Sequence, residues 1–236
     1  MVDPIYQTEK TCVICDKNFT VTRVRSRLTM THQDSDFCTH YQEVNPNFYS
    51  IWVCPHCGYA GYDAYFEQLS QASRDKITAF LASREVHVDF SGTRTCEDAI
   101  KTFKLALFFA SLVNVPNSRL ATMYLRLGWL YREDKEQAEE LEALDKAREY
   151  YEQALLKERT PIGNMSSITI EYLIGELYRL TGKTDEALSY LGKVVADQQA
   201  KLEKRILEMA REAWHKARDE KKQRQAAPEG QTDLEQ

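Results

Sequence analysis

Long apolar runs are missing from this sequence. Nowhere do eighteen apolar residues follow one another, so no membrane-spanning helix is expected. Glycine and proline are scarce, 9 and 6 in 236 residues, which excludes a chain disordered over most of its length. Basic charge is not in surplus either: 31 Lys and Arg stand against 36 Asp and Glu, a formal net charge of −5. Nucleic-acid binding by bulk electrostatics is therefore disfavoured. No glycine-rich phosphate loop is present, and no Ser/His/Asp, Cys/His or paired-carboxylate set stands out, so an enzyme is not expected. The opening MVDPIYQTEKTC carries acidic residues and no apolar stretch. It does not read as a secretory signal, and the expected location is the cytoplasm.

Cysteine, by contrast, is patterned. There are 6, and four of them form two pairs, Cys12-x-x-Cys15 and Cys54-x-x-Cys57, separated by a long insert. Without a secretory signal, such pairs read as metal ligands rather than disulfides. A two-residue spacing lets the chain wrap an ion with both thiolates inward, and two such knuckles supply the four sulfurs of a tetrahedron. Gly58, just after the second pair, supplies the backbone freedom that a tight wrap tends to need. Zinc is the expected ion and iron the alternative. The run Cys54-Pro55-His56-Cys57-Gly58-Tyr59 resembles the knuckle of rubredoxins, but Cys15 is followed by Asp16-Lys17-Asn18 instead of glycine and an aromatic. Four thiolates leave zinc no open position, so the site reads as a structural staple. His56 then faces solvent. Cys38, with His40 two residues on, either lends a ligand to an altered site or is a buried thiol beside Phe37 and Tyr41. Cys96 stands at a helix N-terminus, where a thiol pKa can fall, and no role is assigned to it.

The two parts of the chain follow different patterns. Residues 1–66 crowd cysteines, turn residues and aromatics, with strand-like runs at Phe19–Leu28 and Tyr49–Val53 and a turn at Asn45-Pro46-Asn47. Residues 67–225 are helical throughout, and 226–236 are polar, rich in helix breakers and expected to be disordered. The fold class is α+β, mostly α: a small zinc-ribbon-like module followed by tetratricopeptide-like helical hairpins. The hairpin reading rests on a shared frame. Ile174-Gly175, Tyr178, Ala187, Leu191 and Val194 are matched by Leu127-Gly128, Tyr131, Ala147, Tyr151 and Ala154, with an insertion of about seven residues in QAEELEALDKAR. Ala99, Phe103 and Ala106 fit the second helix of a third unit, whose first helix falls within 67–84. A generic helix bundle is the alternative.

Thr95-x-x-Asp98 predicts a capped helix start, Gly182 a left-handed helix end and Thr184 the next N-cap. The run Ala99–Val113 is apolar nearly all round, which requires cover on more than one side. Stacked hairpins offer a wall for a protein or peptide partner. Leu125, Trp129, Tyr172 and Glu176 occupy the positions where carboxylate-clamping repeats carry Lys and Asn, so an apolar or aromatic contact is expected instead. The last helix, about 197–222, aligns Leu202, Ile206, Met209, Ala213 and Ala217 in one stripe, as a cap for the stack or as a dimer or partner seam. Arg23, Arg25 and Arg27 alternate, so an extended strand would place all three on one face. They form either an anion or nucleic-acid surface or a solvated face paired with Asp34 and Asp36.

Pro4-Ile5-Tyr6, Cys12-x-x-Cys15, Val24-Arg25, Asp36-Phe37-Cys38, Tyr41, Asn45-Pro46, Tyr49 and Cys54-Pro55-x-Cys57-Gly58-Tyr59 together resemble an uncharacterised bacterial family frequent in Firmicutes, a domain of unknown function. Val13 stands where that family often has proline. The resemblance implies a four-cysteine metal module followed by tetratricopeptide-like helices, and no activity. The expected role is an interaction or scaffold protein; a rubredoxin-like iron redox protein and a nucleic-acid-binding zinc ribbon are the alternatives.

Overall fold

Residues 3–84, 86 and 88–226 are described by a computed structural model; the tail read as disordered lies, from residue 227 on, outside them. The chain forms two compact units, Met1–Tyr150 and Tyr151–Gln236. Composition changes character near Glu67, whereas packing changes partners at Tyr150.

The first unit opens with three antiparallel hairpins, each its own two-stranded sheet. Strand β1 (Ile5–Thr11) pairs with β2 (Asn18–Val24), from Ile5 opposite Val24 to Thr11 opposite Asn18. Strand β3 (Met30–Gln33) pairs with β4 (Thr39–Tyr41), and β5 (Ile51–Val53) with β6 (Ala60–Tyr62). Strands this short bury too little apolar surface to stand alone. Their cover comes from α1 (Gln71–Leu81), α2 (Cys96–Leu112) and α3 (Asn117–Asp134). A single hydrophobic cluster runs from Phe19, Val21, Ile51 and Phe66 through Phe103 and Phe109 to Leu127 and Leu130. Phe66 is its aromatic hub, in ring contact with Phe19, Trp52 and Tyr59, and Tyr59 meets Phe109 edge-on at 5.4 Å. The apolar circumference of α2 is thereby explained: β5 and β6 lie on it as well as α3. Its start carries the capping box expected at Thr95 and Asp98. A first helix does lie within 67–84, but Ile77 is its one buried side chain.

Two strand readings need correction. Strand β2 ends at Val24, not Leu28, and Tyr49 closes a 3-10 turn (Pro46–Tyr49) capped by the Asn45 side chain, which accepts the Asn47 N–H at 2.9 Å. That turn is pinned by buried Arg94. Its guanidinium donates to the carbonyls of Phe48, Ile51 and Phe90 at 2.8–2.9 Å, and burial lowers its pKa to about 10.

Helix α4 (Gln137–Lys157) completes the first unit and passes into the second, which adds α5 (Ser167–Leu180), α6 (Thr184–Ala196) and α7 (Lys204–Ala226). Gly182 adopts the expected left-handed conformation, φ 79°, and α6 is capped at Lys183, one residue before the expected Thr184. Glycines mark the helix crossings: a Cβ on Gly175 would sit 2.8 Å from Leu191 Cγ, and one on Gly128 2.7 Å from Leu144 Cδ2. The spacing from glycine to leucine is the same in both hairpins. Leu144 and not Tyr151 is thus the partner of Leu191, and the seven-residue insertion disappears. Helix α4 has 21 residues against 13 in α6 because it continues beyond the crossing. The stripe on the last helix is also shifted. Leu207, Ala210, Ala213 and Ala217 are buried, while Leu202 is 86% exposed in a preceding 3-10 turn. Helix α7 packs on α6 and α5, as a cap would. Among the described residues no helix is long and apolar enough to cross a membrane.

Gly175→Ala should destabilise the protein by about 1–3 kcal/mol, since a methyl group is forced against a buried leucine. Gly92→Ala, where nothing lies within 4 Å, should change stability by less than about 0.5 kcal/mol. Urea denaturation followed by circular dichroism separates the two.

Candidate metal centre

Each cysteine pair sits in the turn of a hairpin, the first between β1 and β2, the second between β5 and β6. The two turns are built alike. The Cys12 N–H donates to the Lys17 carbonyl at 3.0 Å and the Asp16 N–H to the Cys12 carbonyl at 2.9 Å. In the second turn Cys54 donates to Tyr59 at 2.9 Å and Gly58 to Cys54 at 2.8 Å. In both, the residue after the second cysteine is left-handed: Asp16 at φ 55°, Gly58 at φ 76°. Glycine takes this conformation freely and aspartate tolerates it. Gly58 is needed for a second reason, because a Cβ there would lie 2.5 Å from Val86 Cγ1.

These turns bring the four sulfurs together. Cys12 and Cys57 Sγ are 3.6 Å apart, Cys15 and Cys54 Sγ 3.7 Å, and all four lie within 4.8 Å of one another. A tetrahedral ion with metal–sulfur bonds near 2.3 Å needs edges of about 3.8 Å, so the donor set fits. Cys12 and Cys54 are fully buried, Cys15 and Cys57 half-buried. Crowded sulfurs cannot all ionise. Hydrogen bonding with Cys54 pushes Cys12 up to about 12, bonds to Cys12 and Cys54 push Cys57 up, and Cys54, bonded by Cys12 and Cys57, is drawn far down. A bound cation would end that competition by replacing the protons.

The remaining candidates lie elsewhere. His56 is exposed, as expected, with Nε2 3.0 Å from the Asn18 carbonyl, and so ties the second turn to the first hairpin. Cys38 is a buried thiol outside the cluster, pushed up to about 12 by burial and by Asp36. Cys96 lies at a helix start yet is also raised to about 12, because burial and then Glu133 and Asp134 outweigh the helix end. Arg23, Arg25 and Arg27 are exposed but share no strand face, since β2 ends before Arg25. Arg25 Nε donates to the Asp3 carbonyl at 3.0 Å, and its guanidinium stands over the Tyr6 ring.

Asp34 and Asp36 do not pair with those arginines but with Arg132 of α3. Arg132 Nη2 contacts Asp36 Oδ2 at 2.7 Å, Nη1 reaches Asp34 Oδ2 at 2.9 Å, and Nε donates to Glu140 Oε1 at 2.7 Å. Trp129 Nε1 donates to the same Asp36 oxygen at 3.0 Å, and Arg126 bonds Asn47 and Ser50. Burial alone would lower the Arg132 pKa, but Asp36 and Glu140 hold it above its usual value. Sequence reasoning missed this network because its members lie nearly a hundred residues apart. It also corrects the expected partner wall. On α3 Trp129 is half-buried with its indole N–H held by Asp36, and Leu125 is 4% exposed. On α5, Tyr172 and Glu176 are each 0% exposed. Glu176 is clamped by Arg179 at 2.6 and 2.9 Å, and Arg179 also holds Glu220 of α7.

Exchanging the left-handed residues should be asymmetric. Gly58→Ala should destabilise by more than about 1–2 kcal/mol, whereas Asp16→Gly should be neutral or slightly stabilising, as thermal melts would show. Asp36→Ala, which leaves Arg132 with Asp34 and Glu140 but takes the acceptor from the Trp129 and Cys38 N–H groups, should cost about 1–3 kcal/mol in denaturant titrations.

No curated protein is significantly similar in sequence. The crystal structure of MamA is similar over 55% of this chain and 71% of its own, at 19% identity and a TM-score of 0.26, a likeness too low to carry an argument. The model of a family described as "Uncharacterized protein conserved in bacteria (DUF2225)" matches residues 5–217. Spanning both cysteine turns and the helices through most of α7, that match means the chain belongs to this bacterial family.

Proposed function

We propose that this chain is a non-catalytic, cytoplasmic interaction protein in which a zinc ion on Cys12, Cys15, Cys54 and Cys57 fixes the N-terminal hairpins, and helical hairpins present the surface that a protein partner binds. The observation that carries the reading is the convergence of four sulfurs, two from each of two like turns, at separations that suit one tetrahedral ion. A four-thiolate shell is closed, so the ion contributes folding free energy and offers no position to a substrate. Zinc is preferred to iron because the first knuckle departs from the rubredoxin pattern at Asp16-Lys17-Asn18. Paired small-residue crossings at Gly128 and Gly175 support the repeat-like hairpins. Leu125, Tyr172 and Glu176 are buried and so do not contribute to the partner surface, whereas half-buried Trp129 keeps a part that a partner can reach.

Elemental analysis of the purified chain should find one tightly held zinc ion that Cys12→Ser loses. Its removal by a strong chelator should abolish cooperative unfolding of the first unit, since zinc binding in small zinc-finger peptides is worth about 10–16 kcal/mol. A coloured protein with stoichiometric iron would replace this reading with the redox alternative. Salt-dependent oligonucleotide binding, lost on changing Arg23, Arg25 and Arg27 together, would replace it with the nucleic-acid one. Size-exclusion of the native-level protein should show a stoichiometric protein complex; a bare chain would count against the partner.

A further inference from the structure

We propose that His32, Asp34 and His40 form a second metal site, for a divalent transition-metal ion of the zinc class, on the hairpin of β3 and β4. His32 and His40 are direct cross-strand partners in this hairpin. Their rings stack almost parallel, 6° apart in plane with centroids at 4.0 Å. Both Nε2 atoms consequently face one carboxylate: His40 lies 2.9 Å from Asp34 Oδ2 and His32 3.7 Å from Asp34 Oδ1. All three ligand atoms fall within 4.8 Å of one another, so one ion can reach each of them with small side-chain rotations. Two imidazoles and a carboxylate suit Zn²⁺, Co²⁺ or Ni²⁺, and suit the oxygen-seeking Mg²⁺ or Ca²⁺ poorly.

The surroundings agree with a cation. Arg132 Nη1 bonds Asp34 Oδ2, the same oxygen that meets His40, and so orients the carboxylate with Oδ1 toward His32. That arginine faces three carboxylates, Asp34, Asp36 and Glu140, so with neutral imidazoles the cluster keeps two negative charges in excess. His32 is largely exposed and buries little, so packing gives no reason for its place in the stack. Ligands from one side of an exposed hairpin leave open coordination positions toward solvent. This site therefore differs in kind from the closed thiolate cluster: it can take water or an outside ligand, and it exchanges its ion readily.

The test is equilibrium dialysis of the untagged full chain, its cysteine site already loaded with zinc, against Ni²⁺. The wild type should take up one more ion than a His32→Ala/His40→Ala variant, and either single change should weaken uptake by more than about a hundredfold, beyond what loss of an outer contact does. The two histidines are on the surface, so the variants should keep the wild-type circular dichroism and zinc content, which shows that the fold and the cysteine site are intact. No nickel uptake by the wild type, or equal uptake by the double variant, overturns the proposal.

Discussion

Two hairpins a few residues long cannot hold each other by burial, and the meeting of their turns at four sulfurs is the constraint on which the first unit depends. Both turns spend a left-handed residue and the same pair of backbone hydrogen bonds to aim their thiols inward. Everything beneath follows from that placement. With the turns apposed, β2 and β5 lay Phe19 and Trp52 onto Phe66, and Tyr59 comes down on Phe109 of α2. The cysteine cluster and the helical core are in this sense one packing arrangement with a polar top.

A second fastening joins the hairpins to α3. Asp36 is fully buried, and it is satisfied by Arg132, Trp129 and the Cys38 N–H together. A buried carboxylate without such partners would be strongly disfavoured. The same bonds draw the side chains of Trp129 and Arg132 on α3 onto the hairpin segment. In α5 an acidic residue again points inward and is met by an arginine one turn on. Both helices carry an arginine that meets a buried carboxylate.

Much of this was legible in the chain itself. The cysteine spacing is local, and so are the capping box at Thr95 and the left-handed Gly182; each could be read within a few residues. The hairpin frame was legible too, though its register was not. Ala147 and Tyr151 look as suitable for a crossing as Leu144 does, and only the close approach to Gly128 decides between them. The burial of Leu125, Tyr172 and Glu176 was hidden for another reason. Whether a helix face is open depends on which distant segment lies on it, and the pairing of Asp36 with Arg132 leaves no local periodic trace. Strand β2 was read too long because alternation continues through Arg25 and Arg27 after the pairing partner, β1, has run out.

Arg94 leaves a consequence of a different sort. Among the described residues its buried guanidinium is hydrogen-bonded to three main-chain carbonyls, whereas Arg132 and Arg179 meet carboxylates. Bonds to fixed peptide dipoles inside a core are scarcely screened by mobile ions, whereas exposed charge pairs are. Raising ionic strength would therefore slacken the rim of the molecule, at contacts such as Lys10 with Glu67, and leave the anchorage of the Pro46–Tyr49 turn untouched.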